Sequence, residues 1–152
     1  MPISQLKLMK LVYIAYGWHL ALNEIRLYDE PIYAWEHGPV VRSIYDEFKN
    51  FGKRPITRRA TEVDWDTFEL MEPRVPEDDA ETRWVLDRVW ATYKDFRAWT
   101  LRNKTHEAGG PWDKVYDPKV RDVKLNDDDI REHYVQRISA YIDAAHEFEH
   151  AS

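Results

Sequence analysis

Cysteine is absent from this sequence of 152 residues, which excludes disulfides and thiolate metal sites and points to a reducing cytoplasm as its setting. Glycine is scarce, with five in all, and no G-x-S-x-G elbow or glycine-rich phosphate loop occurs, so nucleophilic hydrolysis and nucleotide cradling have no support. Long apolar runs are missing too. The opening MPISQLKLMKLVYIAYGW is interrupted by Gln5, Lys7 and Lys10 and has no cleavage-site pattern, which predicts a soluble protein with neither signal peptide nor membrane span. Positive charge is in deficit, 22 Lys and Arg against 28 Asp and Glu, and a net charge of −6 argues against a nucleic-acid backbone binder and for a basic protein partner.

What the sequence has in quantity is aromatic side chains: seven tryptophans, nine tyrosines and five phenylalanines. Such rings supply the apolar area that one domain of this length needs for a core. A single domain over 1–152 is expected, mainly α (α+β at most), with about five helices and a short extended segment or small hairpin.

Ser4 is placed to cap a first helix whose Leu8, Leu11, Val12, Ala15, His19 and Leu22 recur at helical spacing. The stretch Ile32 to Trp35 reads as extended before a turn at Gly38, after which Pro39 is expected to open a second helix that ends near Gly52. Three prolines break the pattern from Lys53 to Asp79, leaving loops with at most one weak strand or hairpin. Asp78 and Glu81 resemble a capping box for a third helix through Val85, Val89 and Tyr93. A shorter helix through RAWTLRNKTHE is expected to stop at Gly109 and Gly110 and a turn to restart at Pro111. Asn126 then caps a last helix with Ile130, Tyr134, Ile138, Tyr141 and Ala145 on its apolar face.

Six histidines raise the question of acid/base or metal chemistry. His19, on an apolar face, reads as a buried ring bonded to a carbonyl or carboxylate. His146 and His150 in HEFEH have the one-turn spacing of zinc ligands, but a chain end rarely builds the third ligand and dry shell that such a site needs. The basic cluster KRPITRR, Lys53 to Arg59, lacks a stacking array beside it and reads as a solvated loop or a contact for an acidic patch. No catalytic, cofactor-binding or metal-ligating residue is assigned.

The stretch THEAGGPW reads as a helix stop and restart, in which a glycine takes the left-handed conformation, Pro111 pre-sets the next turn and Trp112 buries its ring at the corner. In EHGPVV, His37 is expected to bond a nearby group, and the two histidine-bearing turns to lie close together. Core packing is the favoured role of Trp35 and Trp112, with partner contact as the minority reading.

Three separated stretches carry a resemblance. Lys10, Leu11, Tyr13, Ala15 and Gly17, then Ala34, Trp35, His37, Gly38, Pro39, Val40 and Tyr45, then Thr105, His106, Glu107, Pro111 and Trp112 are similar in order and spacing to the Panacea domain, the family of SocA-like antitoxins and phage-associated GepA-like proteins. Residues 54–77 match nothing beyond their position, and the extra DNA-binding domain of some relatives has no room in a chain of this length. The resemblance implies an antitoxin that neutralises a cognate protein toxin encoded by the adjacent gene. Its SocA branch implies a proteolytic adaptor as well, with ClpX of the ClpXP protease as second partner. Trp35, His37, Gly38, Pro39, Tyr45, His106, Pro111 and Trp112 are the family-motif and candidate partner-binding residues. The competing reading is a histidine- or metal-dependent hydrolase that detoxifies a small-molecule product.

Overall fold

The first helix, α1 (Gln5–Asn23), is the axis of the molecule, and its sequence explains how it begins and ends. The Ser4 hydroxyl accepts from the Lys7 N–H at 3.2 Å, and the chain leaves the helix through Glu24 in the left-handed region at φ 57°. The expected single apolar stripe is a correction: from Met9 to Leu20 every side chain except Val12 is buried, so the helix is enclosed on all sides. Leu22, assigned to that stripe, is exposed.

The computed structural model describes the backbone of residues 3–151 and the side chains of residues 3–140. Around α1 stand β1 (Ile32–Trp35) and β2 (Gly38–Val41), α2 (Arg42–Phe48) with a 3-10 turn over Lys49–Phe51, β3 (Glu62–Asp64) and β4 (Glu69–Met71), α3 (Ala80–Tyr93), α4 (Ala98–Thr105), α5 (Pro111–Val115) and α6 (Asp127–Ala151). Helices α3, α4 and α6 and strand β2 pack on α1. The mainly α class holds, with six α-helices and two antiparallel hairpins among the described residues where about five helices were expected. No helix among the described residues is long and apolar enough to cross a membrane.

Strands β1 and β2 pair antiparallel, with Trp35 opposite Gly38 and Ala34 opposite Pro39. Pro39 therefore does not open a helix; it lies in β2, and α2 starts at Arg42. Proline suits both places for the same reason, since neither the first helical position nor an edge strand needs its missing N–H. Residues 123–125 extend the hairpin, with Ala34 N–H donating to Val123 at 2.8 Å and Leu125 N–H to Ile32 at 2.8 Å.

Helix α3 is capped by Asp79, not Asp78, through a bond from the Thr82 N–H; two adjacent aspartates made the register ambiguous. Helix α4 stops at Thr105, four residues short of the glycines, and Gly109 supplies the left-handed residue at φ 77° in the turn that follows. Asn126 caps α6, accepting from Asp128 and Asp129 N–H at 2.8 and 3.2 Å. Ile130, Tyr134 and Ile138 of α6 are buried, while the side chains of Tyr141 and Ala145 lie outside those described. The Tyr134 ring packs against Gly17, where an added Cβ would come within 2.1 Å of Cδ2, so only glycine lets α6 cross α1 this closely.

Candidate functional site

The two histidine-bearing turns meet. Between β1 and β2 the chain turns through Glu36 and His37, neither at positive φ, and the left-handed excursion falls on Gly38 at φ 113°. A side chain at Gly38 would strike the Lys10 ammonium at 2.8 Å and the His106 ring at 3.1 Å, so glycine is required there by backbone and by space. His106, which caps α4, reaches across to this turn: its Nε2 lies 2.9 Å from the Glu36 carbonyl and its Nδ1 2.7 Å from the Arg102 carbonyl. Both neighbours are acceptors, so a neutral ring donates to one and only a doubly protonated ring to both.

Trp112 completes the corner. Pro111 occupies the first turn of α5, and the buried Trp112 indole donates to the Trp35 carbonyl at 2.7 Å. Its ring contacts both His106, 3.9 Å centroid to centroid, and Tyr116, stacked at 4.4 Å. Trp35 itself donates to Asp122 at 2.9 Å and meets Tyr45 edge to face at 5.0 Å. Of the eight candidate residues, Trp35, Gly38, Pro39, His106, Pro111 and Trp112 thus join in one braced corner, with Tyr45 at its outer edge. His37 departs from expectation: it is exposed at the tip of the turn and makes no hydrogen bond among the described residues, because the neighbouring Glu36 carbonyl, not His37, is the group that His106 engages.

Beneath the turn lies a cation that the pattern of residues did not single out as more than a motif match. Lys10 is 1% exposed, and its ammonium donates to the Pro39 carbonyl at 3.3 Å, its one acceptor among the described residues. Burial, with the Arg102 guanidinium adding repulsion, pushes the Lys10 amine down to about 7. Arg102 lies 4.4 Å over the Trp99 ring, and its buried Nε has no acceptor among the described residues. A lysine on a helix ordinarily reads as solvated; only the enclosure of α1 on all sides marks this one.

An open cleft of about 550 Å³ flanks the corner, lined by Trp35, Tyr45, Arg42, Tyr116, Arg121 and Asp122 among others. Arg42 pairs with Asp122 at 3.4 Å across it. Tyr116 follows Trp112 by one helical turn and was legible as its neighbour; Asp122 meets Trp35 across 87 positions, and no local signal announces it.

The other candidates lie apart. His19 is buried at the end of α1, with Nδ1 2.7 Å from the Ile25 carbonyl. No group of three or more metal-ligating side chains occurs among the described residues, and the side chains of His146 and His150 lie outside them. The basic cluster is largely tied in: Arg58 bonds the Glu47 carboxylate and carbonyl at 2.6 and 2.8 Å, Arg54 bonds the carbonyls of Asn50 and Phe51, and Arg59 lies 3.6 Å from Glu72.

Two comparisons bear on this corner. Residues 8–113 match the family described as Antitoxin SocA-like, Panacea domain, a span that contains Lys10, the β1–β2 turn and Trp112. Antitoxin SocA of Caulobacter vibrioides (strain NA1000 / CB15N) is 33% identical over 115 residues, covering 75% of this chain and 60% of that protein. The chain thus aligns with less than two thirds of that relative's length. No solved structure matches.

Proposed function

The chain belongs to the family of antitoxin SocA-like Panacea domains, and on that premise we propose that it is an antitoxin that neutralises a protein toxin encoded beside it by binding that toxin directly. The observation that carries this reading is the use made of the family-motif side chains. The polar atoms of His106 and the Trp112 indole face backbone carbonyls, and the Trp35 indole faces Asp122. Side chains engaged in this way hold a surface in shape, which suits a protein whose work is to present that surface to another macromolecule.

The hydrolase alternative asks more of the histidines. His19, the exposed His37 and the clamped His106 have separate surroundings, and a catalytic pair needs two groups within hydrogen-bond reach of one reacting atom. Delivery to ClpXP extends the binding role, since an adaptor engages toxin and ClpX together. In its favour, exposed aromatics occur on two sets of elements, Trp65 and Phe68 on one hairpin and Trp84, Trp90 and Trp99 on α3 and α4.

Expression of the neighbouring reading frame alone, then together with this chain, tests the proposal. Growth arrest followed by rescue and co-purification is the expected result. Rescue without any complex, or turnover of a small molecule by the purified chain, overturns it. Toxin half-life in cells with and without ClpXP separates masking, where it is unchanged, from delivery, where it lengthens when the protease is lost.

A further inference from the structure

The hairpin of β3 and β4 stands out because it hides so little. Its strands pair Glu62 with Met71, Val63 with Leu70 and Asp64 with Glu69, and they pack chiefly on each other. Alternation puts Val63 and Leu70 on one face and Glu62, Asp64 and Glu69 on the other. At the end of the hairpin Trp65 and Phe68 meet edge to face, 6.5 Å between centroids. Trp65 is 76% exposed, Phe68 78% and Leu70 74%. A two-stranded hairpin with its apolar face in water is marginal by itself.

Phe68 adds a second observation. It sits at φ 58°, the left-handed position closing the turn, where glycine or asparagine is the ordinary choice and a bulky ring is strained. A strained, solvent-exposed aromatic adds nothing evident to stability, so its place in the sequence calls for a different use.

The charge indicates what that use is. From Ala60 to Pro73 the chain carries five carboxylates and no lysine or arginine. Glu72 pairs with Arg59 and Arg74 at 3.6 Å each, while Glu62, Asp64, Asp66 and Glu69 enter no ion pair among the described residues. An anionic membrane surface repels such a loop. A second copy of this acidic chain offers a poor match, because Arg54, Arg58 and Arg59 of its basic cluster are already engaged.

We infer that the β3–β4 hairpin is the docking arm of this protein, and that it inserts Val63, Trp65, Phe68 and Leu70 into an apolar cleft of the partner rimmed by lysine and arginine. The inference rests on the antitoxin reading, with the toxin as the partner. Burial of two aromatic rings supplies hot-spot affinity, and the four unpaired carboxylates steer the encounter toward a basic surface.

Two variants test it, W65S/F68S and the charge-neutral E62Q/D64N/D66N/E69Q, titrated against the product of the neighbouring reading frame. The first is expected to weaken binding roughly 100-fold and lose rescue, with its melting temperature unchanged, as the truncated rings are hot-spot anchors outside the core. The second is expected to slow association and flatten its salt dependence. Unchanged affinity and rescue in W65S/F68S overturn the assignment while leaving the antitoxin reading intact. A fall of several degrees in melting temperature overturns it as well, because the rings are then part of the folded body. So does a free wild-type dimer that W65S/F68S converts to monomer, because a second copy then covers the face. Failure of the wild-type chain itself to bind or rescue removes the antitoxin reading and this assignment with it.

Discussion

The corner around Trp112 and the hairpin around Phe68 are both built on aromatic rings in tight turns, and they use them in opposite ways. In the corner a tryptophan is buried, its N–H is bonded, and the left-handed positions of the two histidine-bearing turns are glycines, Gly38 and Gly109, with Asp122 left-handed beside them. At the hairpin the rings are exposed and the left-handed position is given to phenylalanine. Within one chain the same residue class therefore marks a brace in one place and an uncovered surface in the other. Six of the eight family-motif candidates fall on the brace while His37 stays exposed at its tip, so most of the residues by which such a chain is recognised have their side chains engaged within the fold.

The largest test of that contrast is Trp112→Ala. Truncating a buried tryptophan costs about 3–5 kcal/mol, and the orphaned Trp35 carbonyl adds roughly 1 kcal/mol or more. A sharp loss in chemical denaturation is expected, with toxin affinity retained at any temperature where the variant stays folded. A melting temperature that stays put while rescue fails would break the contrast and make Trp112 a contact residue.

Lys10→Met has a smaller effect and the opposite sign. The amine is held at about 7 when folded against an ordinary 10.5, so between those values the unfolded chain binds the proton and the folded chain does not. Stability therefore rises with pH from about 7 toward 10.5 through this group, and below 7 its full burial penalty stands. The gap sets a ceiling on the order of 5 kcal/mol, from which loss of the Pro39 bond and imperfect packing subtract, leaving a gain of about 2 kcal/mol. Denaturant midpoints at pH 6 and pH 10 check it: methionine is expected to be the more stable at pH 6 and the less stable at pH 10, where the wild type has regained most of that ceiling. A variant less stable at both values would mean that Lys10 holds the turn rather than burdening it.

Much of the frame was legible. Ser4 and Asn126 declared their helices because a side-chain oxygen beside an apolar period has few other uses, and Gly38 and Pro111 declared their turns. Pro39 misled because Gly-Pro before valines suits a helix start and an edge strand equally. Lys10 was invisible because burial on every side of α1 depends on elements far along the chain. The meeting of His106 with Glu36 spans 70 positions and that of Trp112 with Trp35 spans 77, beyond any local period; resemblance to a family, not spacing, brought those turns into one argument. The β3–β4 hairpin was only half legible, since Thr67-Phe68 lacks the glycine or asparagine that announces such a turn.

That missing glycine gives the smallest and sharpest test. Phe68→Gly relieves a left-handed conformation that costs a bulky residue about 1 kcal/mol, and it adds unfolded-chain freedom worth about 0.5–1 kcal/mol in the other direction. The ring buries too little to matter, so the two effects nearly cancel and the melting temperature is expected to move by a degree or two at most. Toxin affinity is expected to fall roughly 10-fold or more for the loss of one aromatic anchor. If instead the variant melts much lower, Phe68 has a packing role, and hairpin and corner differ in degree only. If it keeps both stability and affinity, the strained ring is idle and the anchor is either Trp65 of the same hairpin or one of the exposed tryptophans of α3 and α4.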